Sequence, residues 1–289
     1  MNNLIARVKN LEIISTKLIE SLLSGNYHSI FKGPGIEFSE VREYVEGDDP
    51  RRIDWNVTSR MNSAFTKTFK EEREIVVFIL MDVSASMTSS IFSEELAENA
   101  NLIFTIFTLS AINNNDQVGA VFFSDRIEKW VGPVKGRKHA LRLIHDMLRL
   151  EPQSRGSDLG LAIKTTGETL ARRGICIILS DFKSHGYWRH LSILAKRHDV
   201  LAIRLVSQEE MYFPATGLMK IEDAESGKSF LGCGSNWKFR KNYQEYWSLH
   251  RKQWLRECRK RGISPLEIHA HEDPLPKLIR FFRKRKKFR

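Results

Sequence analysis

From Glu74 onward the chain alternates short, nearly continuous apolar runs with longer stretches whose apolar residues recur every three or four positions. The runs Ile75–Asp82, Gln117–Ser124, Ile175–Asp181, Val200–Val206 and Ser264–His269 predict strands, with a short partner strand at Lys129–Val134. Helical spacing predicts helices near Glu94–Asn114, Lys138–Leu150, Leu159–Arg173, Trp188–His198, Lys238–Arg261 and Leu275–Lys286. Strands apolar on both faces belong in a parallel sheet covered by helices on each side. The expected fold is therefore α/β, a Rossmann-like, doubly wound and mostly parallel sheet over about residues 72–271. Gly217–Asp223 and Lys228–Leu231 flank an Ala-Glu-Ser-Gly turn and predict a hairpin.

Upstream the pattern differs. Leu4, Val8, Leu11, Leu18 and Leu22 form a helical stripe over residues 3–24, with Gly25 as a stop signal. Residues 26–60 are polar and weakly periodic, and their centre packs Asp48, Asp49, Arg51, Arg52, Asp54 and Trp55 into a short span. Two readings of this charged run stand side by side. It is a docking surface for a partner, or it is a local ion-pair network that Ile53 and Trp55 anchor onto the core. The expected organisation is an N-terminal helix and charged segment (1–71), the α/β domain (72–271) and a basic C-terminal helix or tail (272–289).

The composition fits an ordinary folded chain. Apolar residues make up 42% and charged residues 28% of 289 positions, which excludes a disordered or fibrous protein. The longest apolar run, Ile75–Met81, falls far short of a membrane span. Arg7, Lys9 and Glu12 interrupt the stretch where an export signal would need apolar residues, and Cys176, Cys233 and Cys258 match neither a disulfide framework nor a zinc site. The expected location is cytoplasmic. The net charge of +11 sits almost wholly at the C-terminal end. Trp237–Arg289 holds 17 Lys and Arg against 5 Asp and Glu, which leaves a net of −1 for everything before it. The run Phe281–Arg289 is either a solvated helix end or a contact for an anionic membrane surface or nucleic acid. For the aromatics of the Trp237–Arg261 helix, a core role outweighs stacking on nucleic acid, so nucleic acid is not the favoured partner.

The chemistry gathers at strand ends. Ile75–Asp82 runs into Asp82-Val-Ser84-Ala-Ser86, and Cys176–Asp181 ends on Asp181. Between them the loop Ser154-Arg-Gly-Ser157-Asp158 opens a helix. Ligands of doubly wound sheets bind beyond the carboxyl ends of the strands, where strand order reverses, and right-handed connections bring all three segments to that edge. The edge would then carry Asp82 and Asp181, with Asp158 nearby, and the hydroxyls of Ser84, Ser86 and Ser157. Two carboxylates gathered with hydroxyls repel one another unless a cation or proton intervenes. An all-oxygen donor set favours magnesium, manganese or calcium over zinc. On its own a DxSxS stretch also arises where Asp and Ser merely cap a helix. Its place at the end of a buried strand, with Asp181 in the equivalent place on a later one, points to the metal.

Asp82-Val-Ser-Ala-Ser86, Ser157 and Asp181 resemble the metal-ion-dependent adhesion site of von Willebrand factor A domains. The stretch GIEFSEVREYVEGDDPRRIDWN, followed by FKEEREIVVFILMDVSASM, resembles the bacterial family catalogued as domain of unknown function 58. The adhesion-site pattern most often has Thr where Ser157 stands; Ser keeps the hydroxyl. The resemblance implies a non-enzymatic interaction module. Asp82, Ser84, Ser86 and Ser157 would hold Mg2+ (or Mn2+ or Ca2+), with Asp181 bound directly or through water, and an acidic residue of a protein partner would complete the shell. Proteins similar to this one are typically encoded beside MoxR-type AAA+ ATPases, which implies an adaptor or chaperone-like role with such an ATPase, docked through Asp48–Trp55 or Asp158. Many members carry N-terminal membrane helices, and this sequence departs from them. The alternatives are nucleic-acid or anionic-membrane binding through the basic C-terminus, and a metal-dependent hydrolase whose only evident bases are Asp158 and Asp181.

Overall fold

The computed structural model describes residues 37–61, 63–70, 75–88, 93–207, 210, 213, 215, 217–222 and 229–287. The predicted helix over 3–24, the hairpin turn and the last two residues of the basic run lie outside the described residues. Two compact units result, one within residues 37–70 and one from Ile75 onward.

The first unit pairs β1 (Glu37–Glu43) antiparallel with β2 (Phe65–Lys70). Sequence reading left β1 as irregular chain, and the pairing shows why. A register shift between Phe38 and Glu40 breaks the two-residue alternation by which a strand is recognised. Between the strands lie a 3-10 turn, Pro50–Arg52, and a short helix α1 (Trp55–Met61).

The second unit is a six-stranded sheet. Its strands are β3 (Val76–Asp82), β4 (Gln117–Phe123), β5 (Ile127–Val134), β6 (Ile175–Ser180), β7 (Asp199–Val206) and, near the chain end, β10 (Ser264–His269). The order is β10-β7-β6-β3-β4-β5, and every pairing is parallel except β4 with β5. A separate antiparallel hairpin, β8 (Leu218–Glu222) with β9 (Ser229–Cys233), matches the predicted one. The α/β, mostly parallel fold expected from the patterning is the fold observed.

The strand β3 explains the double cover. All seven of its residues are buried. Val76, Phe78 and Leu80 face a core with Leu159, Leu191 and Trp254. These come from α5 (Leu159–Thr169), α6 (Trp188–Arg197) and α7 (Trp237–Lys260). By the alternation of a strand, Val77, Ile79 and Met81 point to the opposite layer. That layer holds α3 (Ser93–Asn113), α4 (Arg137–Arg149) and α8 (Pro274–Lys287), reached from β3 through the single-turn helix α2 (Ala85–Thr88). Phe104 of α3 lies 5.4 Å from Phe122 of β4, and Phe107 lies 6.1 Å from Phe282 of α8. Each fully buried side chain of this size contributes about 1.5–3 kcal/mol, so the two faces of β3 hold it from both sides. Gly174 sets the entry of β6 beside it, for a Cβ there would stand 2.9 Å from the Cβ of Val76.

The basic C-terminal run is partly structural. Leu278 and Phe282 are buried, and the Arg285 guanidinium pairs with Asp199 at the start of β7.

Candidate metal centre

β3 lies between β4 and β6, and the chain leaves β3 through α3 on one face and β6 through α6 on the other. Strand order therefore reverses at the β3/β6 boundary, and Asp82 ends one of these strands while Asp181 follows the other. In the β3/β6 register Met81 pairs with Leu179, so the next step sets Asp82 beside Ser180.

Asp82 is 1% exposed and is the hub of the rim. Its Oδ1 accepts the Ser84 backbone N–H at 3.0 Å, which closes the strand into the turn that starts α2. Its Oδ2 accepts the Ser180 hydroxyl at 2.7 Å and the Ser157 hydroxyl at 3.0 Å. The Ser84 hydroxyl, fully buried, lies 3.1 Å from that of Ser86. Ser157 is fixed from its other side by the Ser184 hydroxyl at 3.0 Å. Backbone bonds lock the loops together, for Ala85 N–H donates to Arg155 O at 2.9 Å and Asp158 N–H to Ser124 O at 2.8 Å. Three chain segments far apart in sequence thus converge on one carboxylate.

Asp181, 2% exposed, closes the cluster. Its Oδ1 accepts the Lys183 N–H at 3.1 Å through a turn in which Phe182 has a φ of 56°. A buried aromatic residue held in the left-handed region costs on the order of 1 kcal/mol, and the ring compensates by packing 5.2 Å from Trp254 and 5.9 Å from Tyr187. The Oδ2 of Asp181 is buried and accepts no hydrogen bond. Burial, reinforced by the charge of Asp181, pushes the Asp82 carboxyl up to about 6, against the pull of the surrounding serine donors.

The residues fit a hard divalent cation. The donors are all oxygen, two carboxylates with serine hydroxyls, and the buried Oδ2 of Asp181 accepts no hydrogen bond, its nearest cation among the described residues being the Lys183 ammonium at 3.5 Å. Ser86 and Ser157 are half-buried, whereas Asp82, Ser84, Ser180 and Asp181 are closed off, so the rim opens on the serine side. Among the described residues no three His, Cys, Asp or Glu side chains converge as a metal group. The hydroxyls carry the rest of this donor set.

Of the residues singled out from sequence, Asp82, Ser84, Ser86 and Ser157 meet in a single hydrogen-bonded cluster, and Asp181 acts on Asp82 through its charge. Asp158 is adjacent, yet its Oδ1 is spent capping α5 through the Leu161 N–H at 2.8 Å. Sequence reading missed Ser180, Lys183 and Ser184. Ser180 could have been found, because it precedes Asp181 and shares the parity of Cys176 and Ile178, the residues that face the same layer as Asp82. It also missed the support beneath Asp181. Arg204, 1% exposed on β7, donates to Asp181 O at 3.2 Å and pairs with Glu210 at 2.6 Å and Glu267 at 3.4 Å. Burial pushes the Glu210 carboxyl up, while Lys183 and Arg204 pull it down. No motif announces this network, which is assembled from β7, β10 and the segment after β7.

The charged run in the first unit behaves differently. Asp48 accepts from Arg42 at 2.7 Å and from the Val45 N–H at 3.1 Å, and Asp49 caps the 3-10 turn through the Arg51 N–H at 3.0 Å. Asp54 caps α1 through the Asn56 and Val57 N–H groups at 3.0 and 3.3 Å. Arg51 and Arg52 are exposed. Trp55 corrects the anchoring expectation, for it is 70% exposed at the first turn of α1, while Ile53 forms an isolated bridge with Thr66.

Comparison with known proteins places the chain. The uncharacterized protein Rv1480 of Mycobacterium tuberculosis is 29% identical over 290 residues, covering 98% of this chain and 90% of that protein. The uncharacterized protein MAV169 of Mycobacterium avium is 29% identical over 162 residues, which is 54% of this chain and 94% of that protein. Among solved structures, an aerotolerance-related membrane protein from Bacteroides fragilis superposes with a TM-score of 0.48 at 13% identity, over 74% of this chain and 100% of that one. A von Willebrand factor type A protein from Catenulispora acidiphila gives 0.41 at 14% identity, over 77% and 44%. Residues 40–253 match the family described as "Protein of unknown function DUF58", and the chain belongs to that family.

Proposed function

We propose that the chain is a non-enzymatic, metal-dependent protein-interaction module. Asp82, Ser84, Ser86 and Ser157 would hold a magnesium ion, with manganese or calcium as substitutes, and Asp181 would bind it directly or through water. The observation that carries this reading is the buried Asp82–Asp181 pair, ringed by hydroxyls and edged by the half-buried Ser86 and Ser157. A carboxylate pair taken out of water is costly unless cations join it; Lys183 and Arg204 lie on the Asp181 side, and a divalent ion would supply further charge at Asp82. Once loaded, the ion presents an unfilled position at the rim, and an Asp or Glu of a partner protein fits it in charge and hardness.

The charge beside the rim supports the acidic partner. The Lys183 ammonium lies 3.5 Å from the Asp181 carboxylate, so a bound divalent ion and this ammonium together would face an incoming group. An external carboxylate is drawn by both. The partner we infer is a MoxR-type AAA+ ATPase or its client, in the cytoplasm; the family resemblance and the three unpaired cysteines support this assignment. The test is calorimetric titration of Mg2+ and Mn2+ into the wild type and Asp82→Ala, followed by capture of the cognate ATPase in magnesium and in chelator. Binding of metal and ATPase that Asp82→Ala abolishes is the expected result. Equal behaviour of the two proteins would refute the module.

A further inference from the structure

Lys183 stands where a metal ion would compete with it. The left-handed turn at Phe182 carries its ammonium to 3.5 Å from Asp181 Oδ2 and 3.1 Å from Glu210 Oε1, over the Trp247 ring at 5.6 Å. Among the described residues it is the one cation within 4 Å of the Asp181 carboxylate. It is also the movable one. Arg204 is fully buried and held by Asp181 O, Glu210 and Glu267 together, whereas the Lys183 side chain is one-third exposed. A lysine is a compact charge on a flexible stem, and Glu210 with the Trp247 face gives it a second seat when Asp181 is taken.

We propose that Lys183 is an internal competitor of the divalent ion, which makes metal and partner carboxylate depend on one another. This rests on the metal-dependent reading above and deepens it. The ammonium beside Asp181 repels an entering metal ion, so the ion alone binds weakly. A carboxylate that arrives with the ion is drawn by both positive charges, so the pair binds more tightly. Lys183 thereby converts a metal site into one that recognises the ion and the acid jointly, a coupling between two ligands that works equally in both directions. Without the ammonium the ion meets no such repulsion, and a carboxylate adds less to its binding.

The experiment is a Mn2+ titration of the full chain, followed by calorimetry and by electron paramagnetic resonance of the free ion, in chloride and in acetate as the carboxylate probe. Lys183→Met is expected to tighten Mn2+ binding about tenfold in chloride and to remove most of the gain that acetate gives the wild type. Glu210→Gln, which leaves the ammonium to Asp181 alone, is expected to move the affinity the opposite way, and Lys183→Arg to keep the acetate gain. The two variants of opposite sign guard against a general loss of structure. Weaker or unchanged Mn2+ binding in Lys183→Met, or an acetate gain equal to that of the wild type, would overturn the role of Lys183. Equal Mn2+ binding by the wild type and Asp82→Ala would instead overturn the metal centre itself, so the two failures are told apart.

Discussion

The run Asp48–Trp55 and the rim at Asp82 and Asp181 are both rich in aspartate, and they use it in opposite ways. In the run each carboxylate is satisfied locally. Asp48 reaches back three residues to Val45, Asp49 forward two to Arg51, and Asp54 forward two and three to Asn56 and Val57. These are turn and cap bonds, made while the side chains stay near water. At the rim Asp82 takes its donors from Ser157 and Ser180, at sequence separations of 75 and 98, and it is closed off from solvent beside a second carboxylate. A carboxylate satisfied by its own turn shapes the chain. One satisfied by side chains from distant strands and loops gathers those segments at a single point.

The largest expected effect tests that distinction directly. Asp82→Ala should lower Mg2+ and Mn2+ affinity at least about 100-fold, since it removes the hub and exposes the repulsion-free remainder to water. Asp49→Ala should leave that affinity unchanged in the same calorimetric titration, and a shared loss would erase the contrast.

A second test uses pH. The Asp82 carboxyl is pushed up to about 6 in the folded chain, above its ordinary value of 3.8, so the folded state prefers its protonated form. In chelator, this group's contribution to stability is fully present below about pH 4 and is lost as the pH rises through about 6, a loss of about 1–3 kcal/mol. Denaturant unfolding from pH 4 to 7 should show that decline in the wild type and a flatter curve in Asp82→Asn, which is more stable in chelator at neutral pH yet does not bind metal. Saturating Mg2+ should lift the wild-type curve at pH 7 alone.

Removing a hydroxyl is gentler. Ser157→Ala deletes one donor of several to Asp82 and should weaken Mn2+ binding about tenfold with little change in the melting temperature. The smallest effect belongs to the charged run, where Asp54→Ala removes the α1 cap and should cost about 1 kcal/mol of local stability, seen as faster amide exchange over Trp55–Met61. Metal affinity should not move.

Much of the fold was legible because it rests on short-range pattern. The continuous burial of β3 and the helical spacing around Leu143, Leu191 and Trp254 are written in consecutive residues, and they produce the expected layers. The meeting of Asp82, Ser84, Ser86, Ser157 and Asp181 at one edge was legible too, since strand ends in a doubly wound sheet are forced there. What escaped notice had no local sign. β1 was hidden by its register shift, and Trp55 was misjudged because an aromatic within a charged run reads as an anchor while here it lies on the exposed side of a short helix.

The sequence alone determined which residues could reach the rim, because periodicity and chain direction constrain strand ends before any packing is known. Only the tertiary structure decided what surrounds them. Ser180 meets Asp82 through the β3/β6 register, Arg204 reaches Asp181 from the neighbouring strand, and Lys183 meets Glu210 of the segment that follows β7. These partners are chosen by burial, where an unpaired charge is expensive enough to select its neighbours from anywhere along the chain.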